Sequence, residues 1–203
     1  MQQVKNITQS KLIKNLLIIL IGSIILAISS KIKIPFYPVP MTMQTFVVLM
    51  IGVFFGWKLG VATISLYLFE GIIGLPVFSG TPEKGSGLIY FTGPTMGYLI
   101  GFLITVYFAG RFNYSKNLLI NFLKLTFSVS FIYILGVLWL GNLIGWDKPI
   151  FKLGVQPFLL AELFKILLAT FVANQIKKVK NIFKLSWGSF RKYSLKSSSM
   201  HFK

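Results

Sequence analysis

A carboxylate and an amine lie three positions apart in the last long apolar segment of the chain, PFLLAELFKILLA. Residues three apart are neighbours on one face of a helix, so the spacing predicts that Glu162 and Lys165 lie side by side. Charged groups inside a lipid-length helix are costly and mark functional sites by default. An acceptor beside a donor suits a small solute with both kinds of polar edge, such as a cyclic urea, an amide or a carboxylate. The structural alternative is an ion pair that only locks helix packing.

A second motif, FTGPTMGY at residues 91–98, opens another apolar segment with a glycine-rich turn. Thr92 is a candidate cap, and Pro94 suits the first helical turn because its missing N–H has no helical partner there. The free backbone N–H groups at such a helix start favour an anion or a carbonyl oxygen. We therefore predict that Gly93 and Thr95 contact the ligand.

Three further residues of this region and one from an earlier segment have assigned roles. Gly97 and Gly101 continue a four-residue glycine repeat, and close helix packing is the commoner use of such a stripe. Tyr98 is predicted to pack on a ligand ring. Gln44, at the start of the second apolar segment, completes the predicted cluster of ligand contacts on the outer side of the membrane.

The composition indicates that membrane-spanning segments hold these candidate ligand contacts. The chain is 55% hydrophobic and only 12% charged, with a mean hydropathy of +0.75. Soluble domains contain about 45–50% apolar and about 25% charged residues, so this protein belongs in a bilayer. At about 20 residues per span, most of the 203 residues form one domain of about six spans.

The sequence predicts an all-α polytopic membrane protein with six transmembrane helices at residues 1–176 and a basic cytoplasmic tail at residues 177–203. Prolines in the loop IPFYPVPMT end the first helix. The second predicted span has thirteen residues and covers only about 20 Å. The predicted spans are Leu16–Ser30, Gln44–Gly56, Leu59–Gly74, Thr92–Ala109, Leu118–Leu140 and Pro157–Ile176.

The net charge of +17 indicates orientation rather than nucleic-acid binding. Lys and Arg residues flank the apolar spans and do not form a stripe on a polar surface, so no nucleic-acid partner is expected. The larger basic group lies on the side of both termini, which predicts cytoplasmic N and C termini in the cell membrane.

Several catalytic and metal chemistries are excluded by residue content. The chain has no cysteine, and its one histidine is His201 in the last three residues. We therefore predict no metal site, no catalytic residues and no cofactor. An intramembrane enzyme using Glu70 or Glu162 as a base is a remote alternative, and a purely structural assembly subunit is a further one.

The order and spacing of four motifs identify a family resemblance over about residues 20–178. IPFYPVPMTMQTFVVLMIG, GLPVF, GPTMGYLIGF and PFLLAELFKILLA together closely resemble the BioY family, the biotin-capturing S subunits of energy-coupling factor (ECF) transporters. The resemblance implies the six-helix S-component fold and an outer pocket in which Glu162 and Lys165 contact biotin. It also implies a transmembrane coupling protein and two ABC ATPases as partners.

The resemblance also implies a docking motif, and this chain departs from the family pattern at two places. The family docks its coupling protein through a small-residue pattern in the first helix, which falls on Ser23 and Ala27; packing within the bundle is the alternative. The family usually has Gly-Asp where this chain has Ala161 and Glu162, and a glycine where it has Met96. The departures leave open a different vitamin or a biotin precursor as the ligand.

Overall fold

The computed structural model describes residues 2–34, 37–81 and 85–175, which are mostly helical. The predicted basic tail at residues 177–203 lies outside these ranges. Two short antiparallel strands, β1 (Lys33–Ile34) and β2 (Met41–Thr42), pair with Lys33 opposite Thr42. Two 3-10 helices cover Gly87–Thr92 and Gln156–Phe158. The helices are α1 (Gln2–Lys31), α2 (Gln44–Ile72), α3 (Met96–Arg111), α4 (Leu118–Ile144), α5 (Ile150–Gly154) and α6 (residues 159–175).

Helix α2 folds back on itself at Gly56, whose φ of 77° and ψ of 171° favour glycine. The side-chain amide of Gln44 donates to the Tyr67 hydroxyl at 2.6 Å. In a straight helix, residues 23 apart would be about 35 Å apart, so the contact requires two antiparallel arms. The arms cover residues 44–55 and 57–72, and the predicted break between the second and third spans is confirmed.

The described residues therefore contain six long apolar helical segments: α1, the two arms of α2, α3, α4 and α6. Four stretches are long and apolar enough to cross a membrane, and α3 is a shorter apolar helix. The all-α polytopic fold class is confirmed. The cytoplasmic placement of the termini stays a prediction. The four long stretches are Leu12–Lys31, Gln44–Ile72, Leu118–Ile144 and Ile150–Gln175.

Glycine lets α3 pack closely against both α4 and α2. A Cβ atom added at Gly97 would lie 2.3 Å from the Leu135 carbonyl oxygen, and one at Gly101 would lie 2.6 Å from the Ile132 Cα atom. Neither backbone contact leaves room for a side chain. The packing role predicted for Gly97 and Gly101 is confirmed.

The segments that connect the helices gather at two ends of the bundle. At one end, the Ser30 hydroxyl of α1 donates to the Val77 carbonyl and the Trp139 indole of α4 donates to the Gly93 carbonyl, which ties both helices to the segment between α2 and α3. At the other end, Gly110 approaches the backbone of Trp57 so closely that a Cβ atom would lie 2.3 Å from its nitrogen. All the predicted ligand contacts lie toward the first end.

Two predicted helix starts are wrong by a few residues. Helix α3 begins at Met96 and not at Thr92, because Thr92 ends the 3-10 helix Gly87–Thr92 and residues 93–95 form a turn. The Thr92 hydroxyl donates back to the Ile89 carbonyl and does not cap α3. Similarly, Pro157 lies in a 3-10 helix that precedes α6, and the short helix α5 before it was not predicted.

Candidate functional site

Glu162 and Lys165 are at the centre of a hydrogen-bonded cluster that joins three helices. Both are buried, with 4% and 6% of their surface exposed. One Glu162 oxygen, Oε2, accepts from Thr45 Oγ1 at 3.0 Å, from Tyr133 Oη at 3.0 Å and from Lys165 Nζ at 3.2 Å. Lys165 Nζ also donates to Thr45 Oγ1 at 3.0 Å. The first arm of α2, α4 and α6 therefore each contribute to holding this carboxylate.

The other oxygen of the same carboxylate has no protein partner. Glu162 Oε1 and Ser79 Oγ are the two buried side-chain polar atoms that lack a hydrogen-bond partner within the described ranges. A buried polar atom without a partner costs about 1–3 kcal/mol, and more when it is charged. These two atoms are therefore the places where a ligand gains most by supplying polar groups.

Both unpartnered residues line one cavity with a free volume of about 60 Å³. Its walls are largely apolar and aromatic, with a few polar groups at fixed positions, which is the usual character of a small-molecule site. The lining residues are Val39, Pro40, Met41, Thr42, Gln44, Thr45, Ser79, Tyr90, Thr95, Tyr98, Leu99, Phe102, Ile132, Tyr133, Phe158, Glu162 and Lys165. We call this space the ligand pocket.

Five of the six predicted ligand contacts line the ligand pocket. They are Gln44, Thr95, Tyr98, Glu162 and Lys165. The sixth, Gly93, is not among the lining residues, and its carbonyl accepts from the Trp139 indole at 2.9 Å. The geometry thus brings together residues from three separate segments, while contact with a ligand stays a prediction for each of them.

The ring of Tyr98 lines the ligand pocket, and its hydroxyl is engaged in a hydrogen bond within the protein. The hydroxyl donates to the Gly154 carbonyl at 2.8 Å. One side of the ring lies against Gly136, where an added Cβ atom would be 2.4 Å from a ring carbon. The Tyr133 ring stands perpendicular to it, with centroids 6.3 Å apart. Tyr98 is therefore positioned to make apolar contact with a ligand.

Sequence reasoning missed five polar residues that line this pocket, Thr42, Thr45, Ser79, Tyr90 and Tyr133, and three of them affect its polar chemistry directly. Thr45 and Tyr133 hold the Glu162 carboxylate, and Ser79 carries one of the unpartnered atoms. Thr45 is adjacent to the predicted contact Gln44, but no sequence pattern distinguishes it. Tyr133 and Ser79 are ordinary residues of their segments, and only the fold brings them beside α6.

The other intramembrane acid lies in a different environment. Glu70, in the second arm of α2, is half-buried and accepts a hydrogen bond from the Ser23 hydroxyl of α1. Ser23 has no exposed surface, and Ala27 is half-buried and packs against the core. The predicted docking pair thus faces the bundle interior, and docking through it stays a prediction.

The described residues contain no group of three or more His, Cys, Asp or Glu side chains that could hold a metal ion. The polar chemistry of the pocket is therefore that of one carboxylate, one amine and several hydroxyl groups. Such a set can bind and orient a small polar solute by hydrogen bonds.

A model of the BioY family matches residues 1–181, which is most of the chain. The chain belongs to the BioY family. A BioY relative named "Probable biotin transporter BioY", from Pyrococcus horikoshii, is 33% identical over 74% of this chain and 88% of the relative. The "Biotin transporter BioY" of Thermotoga maritima is 31% identical over 77% of this chain and 91% of the relative.

The fold also matches a solved structure of the same kind. The crystal structure of the S-component for biotin from an ECF-type ABC transporter aligns with a TM-score of 0.69 and 25% sequence identity. The alignment covers 83% of this chain and 93% of that chain. The S-component fold expected from the motif order of the BioY family is thus confirmed.

Proposed function

We propose that this protein binds biotin from the outer face of the cell membrane and mediates its uptake as an S subunit. The observation that carries the proposal is the unpartnered Glu162 Oε1, buried in a pocket whose remaining walls are mainly apolar. Relatives named as biotin transporters and the solved biotin S-component support the choice of ligand.

Biotin carries polar groups that can pair with the unpartnered polar atoms of the ligand pocket, and apolar parts that can pack against its walls. Its ureido ring carries two N–H donors and one carbonyl acceptor. We assign one N–H to Glu162 Oε1, because a charge-assisted hydrogen bond is about twice as strong as a neutral one. Lys165 and Ser79 supply donors to the polar edges of the ligand. We place the apolar thiophane ring and valeryl chain against the aromatic walls at Tyr98 and Phe158, and the free space of about 60 Å³ must widen to admit them.

The Glu162 carboxylate is preorganised for this contact. Three donors fix Oε2, so the direction in which Oε1 points is set before the ligand arrives. A preorganised acceptor loses little conformational entropy on binding, which raises affinity for a given set of contacts. In this respect Thr45 and Tyr133 position the carboxylate, whereas Glu162 contacts the ligand.

We assign the supply of energy for the transport step to partner proteins. We propose an ECF transmembrane coupling protein and two ABC ATPases, because the S-component that this fold matches comes from an ECF-type ABC transporter. Ser23 and Ala27 are the proposed docking pair of α1. Their interior position means that docking must draw α1 partly away from α2, or use neighbouring exposed residues of α1 such as Ile24 and Ile28.

A second candidate ligand is another vitamin or a biotin precursor. It is favoured by Glu162 itself, since a glutamate is one methylene longer than the aspartate usual in the family and moves the acceptor. The intramembrane-enzyme alternative has no such support, because the BioY family and ECF S-components are transport proteins and not enzymes.

Equilibrium binding to the purified, detergent-solubilised protein tests the proposal. The panel contains biotin, its precursor dethiobiotin, thiamine and riboflavin, and each compound is titrated directly into the protein by calorimetry. We expect biotin to bind most tightly and dethiobiotin to bind more weakly. If the folded protein does not bind biotin but binds another compound of the panel tightly, that compound replaces biotin as the proposed ligand.

A further inference from the structure

A second and larger space lies beside the ligand pocket, on the outer surface of the bundle. It has a free volume of about 750 Å³ and lies between the β1–β2 hairpin and α6. Residues 32–34 and 41–43 form one wall, and residues 157–167 form the other. We call this space the lateral groove. It has no role in the proposed function.

The lateral groove is apolar and open to its surroundings. Leu160 and Phe164 on α6 are 81% and 68% exposed, and Ile34 on the hairpin is 59% exposed. On a soluble protein, such a patch would mark an interaction site. In a multi-pass membrane protein the surroundings at these positions are lipid chains, which are the available apolar material to fill the space.

The positive charge in the lateral groove favours a negatively charged lipid over a neutral one. Two lysines and no acidic residue line it. The Lys165 amine is turned inward to Glu162 and Thr45, so only its stem contributes to the wall. Lys33 is exposed and forms no ion pair within the described ranges. Its amine is therefore the group available to a negative charge in the groove.

The two features lie at the right depths for one lipid molecule. Lys33 follows the end of α1, on the loop side of the bundle, which is the level of the headgroups. From Leu160 to Leu167 the groove runs seven residues along α6, or about 10 Å. We propose that the lateral groove binds an anionic phospholipid, with its phosphate at Lys33 and one acyl chain along α6.

Such a lipid would lie directly outside the ligand pocket. Met41, Thr42 and Lys165 line both spaces, so one layer of side chains separates them. The lipid therefore forms the outer support of a wall whose inner side faces Glu162. The lipid proposal does not depend on the identity of the ligand, and its test uses lipid alone.

Native mass spectrometry of the full chain in detergent tests the lipid site. The probes are phosphatidylglycerol and phosphatidylcholine with identical acyl chains, which differ in net charge. We expect about fivefold more phosphatidylglycerol than phosphatidylcholine bound at equal concentration, the effect of one lysine on an anionic lipid. Equal binding of the two lipids by the wild-type protein would overturn the proposal.

Three variants locate the site. Lys33→Gln should reduce phosphatidylglycerol binding to the level of phosphatidylcholine. Lys152→Gln removes an exposed charge from the same end of the bundle, outside the groove, and should leave the preference intact. Ala161→Leu fills the groove and should reduce binding of both lipids. If Ala161→Leu does not fold, the comparison of the two lysine variants still tests whether the anionic lipid binds at Lys33.

Two results contradict the proposal at this stage. Equal losses in Lys33→Gln and Lys152→Gln would mean that the attraction between anionic lipid and the basic protein is general and not placed in the groove. A dimer that excludes lipid, and that Ala161→Leu dissociates, would make a second copy of the chain the occupant.

Discussion

Glu162 and Glu70 are both carboxylates inside apolar helices, yet their surroundings differ in three ways. Glu162 is almost fully buried and has three donors on one oxygen, an unpartnered second oxygen and a cavity beside it. Glu70 is half-buried, is bonded to Ser23 of α1 and does not line the ligand pocket. On this difference we propose that the Glu162 carboxylate serves ligand binding and the Glu70 carboxylate serves helix packing.

The two acids differ in burial, but the more important difference is that one polar atom of Glu162 lacks a hydrogen-bond partner. A packing contact is complete in the ligand-free protein, whereas a binding site keeps polar groups that only the ligand satisfies. This difference predicts opposite behaviour on mutation. Substitutions around Glu162 should alter affinity, and substitutions around Glu70 should alter stability.

The largest effect is expected for Lys165→Ala. Removal of the amine leaves Glu162 buried without a countercharge, and breaking a buried pair in this way costs about 3–5 kcal/mol. We expect a marked fall in melting temperature and loss of measurable biotin binding, measured by thermal shift and calorimetry. Lys152→Ala removes an exposed lysine and serves as the control. Unchanged affinity in a folded Lys165→Ala protein would assign the pair to packing, as for Glu70.

Ser79→Ala sharpens the comparison because affinity and stability should move differently. The Ser79 hydroxyl is buried and has no partner, so its removal takes away a polar group that is unsatisfied in the ligand-free protein. We expect a melting temperature that is unchanged or higher, together with biotin binding about tenfold weaker, the loss of one hydrogen bond of about 1.4 kcal/mol. A fall in stability at unchanged affinity would show that Ser79 serves the fold and not the ligand.

The smallest effect is expected for Ser23→Ala on the other side of the comparison. The substitution removes the hydrogen bond to Glu70 and leaves the backbone packing of α1 in place. We expect a loss of about 1 kcal/mol of stability, measured by thermal shift, with biotin affinity unchanged. Weaker biotin binding in this variant would mean that the Glu70 contact is coupled to the ligand pocket.

The fold could be predicted in outline from sequence because span length and hydropathy are strong signals. The reversal between the second and third spans could be predicted, and the structure locates it at Gly56. The start of α3 at Met96 could not, because Gly93, Pro94 and Thr95 suit a turn as well as the first turn of an α-helix. The basic tail at residues 177–203 and the orientation of the termini stay predictions.

Part of the site could also be anticipated. The spacing of Glu162 and Lys165 predicted their contact, since both lie on one helix. Thr45 and Tyr133 could not be found in this way, because hydroxyl residues on other helices become partners only through tertiary packing. Gly93 was predicted to contact the ligand; it is not among the residues that line the ligand pocket, and its carbonyl accepts a hydrogen bond from Trp139.

Biotin titration of the wild-type protein beside Glu162→Gln, with Glu70→Gln as the matched control, tests the central claim most directly. Both substitutions replace an intramembrane carboxylate by its neutral amide. We predict tight binding by the wild-type protein and by Glu70→Gln, and binding about 100-fold weaker by Glu162→Gln, since a hydrogen bond to a charged group contributes about 1.5–3 kcal/mol. Equal affinities in all three folded proteins would contradict the assignment of Glu162 as the ligand's acceptor.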